Sequence, residues 1–234
     1  MSADRRIQTE ALLAEQGDYY RRRAPEYDDW WFRRELYDRG EEANSRWFAE
    51  AREVESALDR FGPRGRVLEL ACGTGIWTRK LAESAGRLTA VDGSVEMLDL
   101  NRARLKGATV AYLQADIFAW EPSEAYDACF FGFWLSHVPE EHLEPFWEKV
   151  RRALGPGGRV FFIDSARGDR SADHRLPGAG EETMARRLGD GREYRIVKRF
   201  YEPEALQDRL AGLGWSVRVA STPEYFIYGH GHPV

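Results

Sequence analysis

The stretch Val67-Leu-Glu-Leu-Ala-Cys-Gly-Thr-Gly75 is the most informative part of the sequence. Its apolar residues suit a buried β-strand, and its glycines form a turn that leads into a helical segment. Gly73 and Gly75 allow a ligand to approach the backbone closely, and the helix start presents free N–H groups. Because ligands of open α/β sheets bind at the carboxyl ends of strands, the turn predicts a binding site.

Glu69 indicates what kind of ligand this site takes. A carboxylate inside a buried strand needs a partner, and a cationic ligand would supply one, whereas a pyrophosphate would be repelled. Thr78 also stands where the dinucleotide-binding pattern needs glycine or alanine. A nicotinamide-dependent dehydrogenase is therefore disfavoured.

Two further carboxylates follow at the ends of predicted strands. Asp92 ends the strand that starts at Leu88, and a carboxylate there can accept both hydroxyls of a ribose. Asp116 ends the next strand, where it can accept from an adenine amino group while Ile117 packs on the ring. Together with Glu69, these carboxylates indicate a ligand that contains an adenosine joined to a positively charged group. The alternative is that each acid caps the next helix.

Short apolar runs alternate with helical segments along the middle of the chain, which predicts a parallel sheet. Strands are predicted at Val67–Ala71, Leu88–Val91, Thr109–Leu113, Ala128–Phe131 and Val160–Ile163, with helices near 76–84, 94–105 and 139–154. Asp190-Gly191 predicts a hairpin turn. A helix from Pro203 and an antiparallel strand pair, Trp215–Ala220 and Tyr225–Tyr228, close the domain.

These motifs resemble those of class I S-adenosylmethionine-dependent methyltransferases. Glu69-Leu-Ala-Cys-Gly-Thr-Gly75 resembles the first motif, although Ala71 replaces its first glycine, and Asp92-Gly-Ser-Val-Glu-Met-Leu98 resembles the second. Ala115-Asp-Ile117 resembles the adenine-contacting motif. The resemblance extends in order over residues 66–165 and includes Leu135-Ser-His-Val138 and Leu154-Gly-Pro-Gly-Gly158.

The resemblance implies a Rossmann-like α/β sheet, mostly parallel with an antiparallel closing strand. Helices would cover both faces, and a helical extension would precede the sheet. The cofactor would be S-adenosylmethionine, contacted by Glu69, Ala71, Gly73, Gly75, Asp92, Met97, Asp116 and Ile117. Tyr20 resembles a tyrosine that closes over the cofactor in members acting on small molecules. Its alternative role is packing within the N-terminal helices.

One domain, 1–234, is predicted with four parts. They are a helical extension or lid (1–63), a cofactor-binding core (64–165), a polar excursion near the acceptor site (166–200), and the closing helix and strand pair (201–234).

His137 follows the fourth predicted strand, where an imidazole could take the proton of an acceptor hydroxyl. The alternative is a structural histidine bonded to the backbone. His174 is a weaker candidate for the base. Trp31 and Trp134 are predicted to line the acceptor pocket, although the N-terminal aromatics would equally suit the core of a helical extension.

Composition limits the partners. The net charge of −5 and the absence of adenine- or cytosine-methylating motifs disfavour nucleic acid. The clusters Arg21–Arg23 and Arg33–Arg34, interleaved with acids, are interpreted as a solvated, ion-paired face. No metal site is expected, and His230 and His232 are assigned to a tail. Without a long apolar run or a signal peptide, the expected location is the cytoplasm, with no membrane partner.

The sequence therefore predicts an enzyme that transfers a methyl group to a small, partly apolar metabolite, at oxygen in preference to nitrogen or carbon. The alternatives are an N- or C-methyltransferase of a small molecule, a protein or RNA methyltransferase, and an inactive cofactor-binding regulator. The sequence does not indicate an oligomeric state.

Overall fold

The computed structural model describes residues 3–167 and 182–234. Its N-terminal part is helical, as predicted. Gly62, with a φ of 61°, ends the last of these helices, where the sequence predicts a stop. The helices are α1 (Ala3–Arg23), α2 (Tyr27–Trp31) and α3 (Glu41–Phe61), with 3₁₀ turns at Ala24–Glu26 and Glu35–Tyr37.

Strands and helices then alternate along the described chain. They are β1 (Arg66–Leu70), α4 (Ile76–Ala82), β2 (Arg87–Asp92), α5 (Val95–Arg104), β3 (Val110–Gln114), β4 (Tyr126–Gly132), a 3₁₀ turn (Leu135–His137), α6 (Glu140–Ala153), β5 (Leu154–Ser165), β6 (Thr183–Arg187), β7 (Glu193–Val197), α7 (Pro203–Gly212), β8 (Trp215–Ser221) and β9 (Phe226–Pro233).

The main sheet confirms the predicted fold class. Its seven strands lie in the order β3-β2-β1-β4-β5-β9-β8, and neighbouring strands among the first five are parallel. β9 is antiparallel to both β5 and β8. The predicted hairpin is also present, because β6 and β7 pair antiparallel around a turn in which Gly191 has a φ of 86°.

Two element boundaries differ from the prediction. β5 begins at Leu154, which pairs with Tyr126 before a register shift, so the glycine-rich segment belongs to the strand. β9 continues to Pro233, because β5 and β8 offer backbone partners on both sides. The assignment of His230 and His232 to a tail is therefore wrong, and both lie in this strand.

Both faces of the sheet are covered. Phe130 and Phe131 are consecutive in β4 and point to opposite sides, as neighbouring residues of a strand do. Phe131 packs with Trp147 of α6, whereas Phe130 packs with Trp77 of α4. Burial on two faces explains why these strands are continuously apolar.

The parallel strands bring their carboxyl ends to one edge of the sheet, where the first motif, Asp92 and the 3₁₀ turn carrying His137 follow β1, β2 and β4. In the part of the chain that the structure describes, no helix is long and apolar enough to cross a membrane.

Candidate active site

The turn after β1 has an unusual backbone. Gly73 and Gly75 have φ values of 51° and 89°, which glycine adopts easily. A Cβ on Gly75 would lie 2.6 Å from Asn101 Oδ1, so the position has no room for a side chain. Ala71, where the related motif has glycine, also has a positive φ of 53° and is strained. The turn keeps its glycine-like shape at this position in spite of the alanine.

Asn101, a buried residue of α5, holds the turn in place. Its Nδ2 donates to the Thr78 hydroxyl at 2.8 Å and to the Gly73 carbonyl at 3.3 Å. Its Oδ1 accepts from the Tyr112 hydroxyl at 2.9 Å. Sequence reasoning missed Asn101, because a single amide in an amphipathic helix resembles an exposed residue.

Asp92 is bonded to the same turn. Its Oδ2 accepts from the Gly73 N–H and its Oδ1 from the Ser94 N–H, both at 2.9 Å. Burial raises the pKa of Asp92. The cap of α5 is Ser94, whose Oγ accepts from the Met97 N–H at 3.2 Å. Capping of the next helix therefore does not explain Asp92.

Asp116 lies further out than the other two acids. It is exposed, and its Oδ1 accepts from the Phe118 N–H at 2.9 Å, so the carboxylate shapes the turn after β3. Ile117 next to it is buried, as is Met97. No helix lies between β3 and β4 in the described chain, so Asp116 does not cap a helix, and its exposed carboxylate is compatible with the adenine role predicted for it.

Glu69 is the carboxylate that best indicates a ligand. Its side chain is 1% exposed, and its Oε2 has no hydrogen-bond partner among the described residues. The pKa of Glu69 is raised to about 8, chiefly by burial; a hydrogen bond from Thr78 lowers it and the charge of Asp92 contributes to the rise. A buried acceptor without a donor fits the ammonium group of an amino-acid-like ligand.

A cavity of about 330 Å³ lies between this turn and the N-terminal helices. It contains Glu69 and the first motif, together with aromatic side chains. Trp31, predicted for the acceptor pocket, lines this cavity. The lining residues are Tyr27, Trp30, Trp31, Glu69, Ala71, Cys72, Gly73, Thr74, Ile76, Trp77, Phe130, Gly132 and Phe133.

A second cavity of about 470 Å³ adjoins the first. Tyr27, Trp30 and Phe133 line both cavities, so a group held in the first can face a group held in the second. The residues found only in the second cavity are Tyr20, Arg23, His137, Ser165, Arg186, Lys198 and Phe200.

His137 is held by two hydrogen bonds. Its Nδ1 lies 2.6 Å from the Val197 carbonyl, which can only accept, so Nδ1 carries the proton. Its Nε2 therefore accepts from the Tyr20 hydroxyl at 2.7 Å. Burial lowers the pKa of His137 well below its ordinary value, and Lys198 lowers it further, so the imidazole is neutral at pH 7.

Tyr20 belongs to a polar stripe on α1. Gln16, Tyr20 and Arg23 follow one another at helical spacing on a single face. Gln16 donates to the His137 carbonyl at 3.2 Å and accepts from the Val197 N–H at 3.0 Å. Tyr20, predicted to close over the cofactor, lines the second cavity rather than the one that holds the first motif.

Two further candidates lie elsewhere. Trp134 packs on Phe118, at 5.1 Å between ring centres, and on Phe146, and it lines neither cavity. His174 lies outside the described residues.

The interpretation of the clusters Arg21–Arg23 and Arg33–Arg34 as a solvated face is wrong for Arg23 and Arg33, and Arg33 is only 4% exposed. Arg22 is exposed and pairs with Asp18 at 2.8 Å, as expected. Arg23 is only 8% exposed and faces the second cavity. The spacing of Arg23 from Gln16 and Tyr20 places all three on one face of α1. A polar helix face is normally solvated, so this spacing did not by itself indicate that Arg23 is buried.

Comparison with known proteins agrees with this geometry. Residues 67–158 match the model of a family described as "Methyltransferase domain". A demethylmenaquinone methyltransferase of Lactococcus lactis is 35% identical over 108 residues, which are 43% of this chain and 42% of that protein. The chain thus spans about two fifths of that relative's length. A demethylmenaquinone methyltransferase of Thermus thermophilus is 30% identical over 194 residues, covering 75% of this chain and 84% of the relative.

Solved structures extend the similarity to nearly the whole chain. A structure described as "DhpI-SAM-HEP complex" is 40% identical, has a TM-score of 0.76, and matches 95% of this chain and 98% of its own. A second, described as "DhpI-SAH complex structure", has the same TM-score at 39% identity.

Proposed function

The chain belongs to the class I S-adenosylmethionine-dependent methyltransferases, and we propose that it transfers a methyl group to an oxygen atom of a small molecule. The observation that carries the proposal is the arrangement of the two cavities. One contains the first motif with the unpartnered Glu69 oxygen, and the other contains a neutral His137. Tyr27, Trp30 and Phe133 lie between them.

The first cavity suits the amino-acid end of the family's cofactor, because it contains Glu69 and the first motif. S-adenosylmethionine, when bound, supplies an electrophilic methyl group on a positively charged sulfur. In our proposal, Glu69 pairs with its amino group, Asp92 accepts from the ribose hydroxyls, and the backbone at Gly73 and Gly75 lies against it. The orphaned Oε2 of Glu69 supports the first of these contacts.

The second cavity suits a small acceptor with an apolar part. Trp30, Phe133 and Phe200 give it apolar walls. In this proposal, the helical extension 1–63 and the described residues of the excursion 166–200 form the acceptor site around the core 64–165. These enclosing walls disfavour a folded protein or an RNA as the acceptor.

Tyr20 and His137 support oxygen as the methylated atom. Burial raises the pKa of Tyr20 well above its ordinary value, so the phenol stays protonated and donates to His137 Nε2. An acceptor hydroxyl that binds beside Tyr20 can pass its proton to the phenol oxygen while the phenol proton moves to Nε2. The hydroxyl oxygen then gains the methyl group without building up positive charge. A regulator without catalysis would leave this pair without a role.

Calorimetric titration with S-adenosylmethionine, with NAD⁺ as the control ligand, tests the class. We expect binding of the sulfonium compound only. Binding of NAD⁺ instead would overturn the proposal.

With an acceptor in hand, His137→Asn should lower turnover by about 10²-fold or more while cofactor affinity stays within a factor of two. Tyr20→Phe, which keeps the ring but removes the proton path, should lose turnover similarly. Retained turnover in both variants would remove the pair from the chemistry. The predicted location of this enzyme is the cytoplasm.

A further inference from the structure

The second cavity has a strongly cationic wall. Arg23, Arg186 and Lys198 all line it, and no aspartate or glutamate of residues 3–167 and 182–234 does. The three side chains come from α1, from β6 and from the residue after β7, so they are brought together only by the fold. Buried positive charge is costly unless it has a partner, so this wall indicates an anionic ligand.

Arg23 is held by aromatic rings rather than by an acid. Its guanidinium lies 5.1 Å from the ring centre of Tyr27 and 5.6 Å from that of Tyr19. Its one hydrogen bond goes to the Tyr37 hydroxyl at 3.3 Å. Among the described residues, no carboxylate pairs with it. The surrounding rings therefore fix the position of this guanidinium, but no carboxylate among the described residues neutralises its charge.

Arg186 differs from the arginines around it. Its Nε is buried and has no hydrogen-bond partner in the described part of the chain. In the same hairpin, Arg187 pairs with Glu193 and Arg195 pairs with Glu15, and both arginines are exposed. Arg186, which lines the second cavity, thus carries a buried donor without a partner, while its neighbours form surface ion pairs.

Lys198 contributes less net charge. Its Nζ lies 3.4 Å from Asp164 Oδ1 and donates to the hydroxyls of Ser136 and Ser165 at 2.9 and 3.3 Å. Because Asp164 neutralises this ammonium, the excess charge of the wall comes from Arg23 and Arg186.

We propose that the methyl acceptor is a small acid whose oxyanion, a carboxylate or a phosphate-type group, is bound by Arg23 and Arg186. The proposal rests on the proposed function and specifies its substrate class. Planar guanidinium groups with free N–H donors match the oxygens of such anions. The same wall repels a protonated amine, which distinguishes an acidic acceptor from an amine that would be methylated at nitrogen.

The test uses the protein with S-adenosylhomocysteine bound. The probes are inorganic phosphate and propionate, with methylammonium as a cationic control. Each is titrated at constant ionic strength, and the dissociation constant is obtained from the rise in unfolding temperature. We expect at least one acid to bind and methylammonium not to bind, and the tighter acid identifies the kind of oxyanion.

Matched variants locate the site. Arg23→Gln and Arg186→Gln should each weaken acid binding about tenfold or more. Arg22→Gln and Arg187→Gln remove neighbouring exposed arginines and should leave it within a factor of two. Arg23→Lys keeps a charge at the buried position, and its binding should fall between wild type and Arg23→Gln. If Arg23→Gln does not fold, the dissociation constants of Arg23→Lys and Arg186→Gln for the acid test the proposal instead.

Equal acid binding in all variants, or no acid binding in a protein that binds S-adenosylmethionine, would overturn this inference and leave the proposed function intact. Loss of cofactor binding in the wild-type protein would instead overturn the proposed function.

Discussion

At the scale of single residues, Ala71 has a backbone conformation that its side chain disfavours. Its φ of 53° lies in the left-handed region, which costs an alanine roughly 1 kcal/mol and costs glycine little. Ala71→Gly should therefore raise the free energy of unfolding by about 0.5 kcal/mol or more, measured by urea denaturation. Ala57→Gly, in the regular helix α3, is the control and should lower it by about 1 kcal/mol. A lower free energy of unfolding for Ala71→Gly would show that Ala71 is not strained in this turn.

Glu69 should make cofactor binding depend on a proton. Because burial raises its pKa to about 8, the free protein holds this carboxyl largely protonated at pH 7. A bound ammonium group favours the carboxylate, so binding of S-adenosylmethionine should release a proton. Calorimetry in two buffers with different ionisation enthalpies measures the release. Glu69→Gln should abolish it, and an unchanged release in that variant would assign the proton to another group.

At the scale of elements, α2 is attached to the cofactor side of the sheet by Asp28. This residue accepts from the Thr74 hydroxyl at 2.6 Å and pairs with Arg104 of α5. Opening the first cavity toward α2 must break these contacts. Asp28→Ala should therefore speed dissociation of S-adenosylmethionine by about tenfold, followed by stopped-flow tryptophan fluorescence.

Asp29→Ala, the adjacent acid in α2, is the matched control, and its dissociation rate should stay close to that of the wild type. Equal rates in the two variants would mean that the cofactor leaves without movement of α2.

Local sequence patterns predicted most elements and their parallel or antiparallel pairing, but not the full extent of β5 and β9. The apolar runs of β1 and β4 are distinctive because both faces of these strands are covered. The extent of β9 was missed, because its residues Gly229–Pro233 are polar or small and become a strand only by pairing with β5 and β8. The inner face of α1 was missed for a related reason, since two of its buried residues, Gln16 and Arg23, are polar.

At the scale of the whole molecule, the buried neutral His137 should make stability depend on pH. Its pKa in the folded protein is well below the value of about 6.5 that it has when unfolded. Below pH 6.5 the unfolded chain binds a proton that the folded protein does not, so the free energy of unfolding falls as the pH decreases. Denaturation between pH 7 and pH 5 measures this slope.

His137→Asn should flatten that slope, whereas His232→Asn, at an exposed position, should leave it as in the wild type. If His137→Asn kept the full slope, the pH dependence would have to come from other groups.

The candidate site was predictable on the cofactor side because its residues lie close together along the chain. Glu69 interrupts an apolar run and Asp92 ends one, so each carboxylate stands out in the sequence. The acceptor side was not predictable, because Arg186 and Lys198 reach it through a hairpin whose position depends on α1. A sequence dense in arginine gives no local sign of which arginine is buried.

The contact between Gln16 and Val197 joins residues 181 positions apart, whereas the bond from Gly73 to Asp92 spans 19. Closing the longer loop costs more chain entropy and requires both ends of the chain to be in place. We therefore expect the cofactor half to form early in folding and the acceptor cavity to form last. During synthesis, the nascent chain would acquire its nucleotide site well before it could discriminate between acceptors.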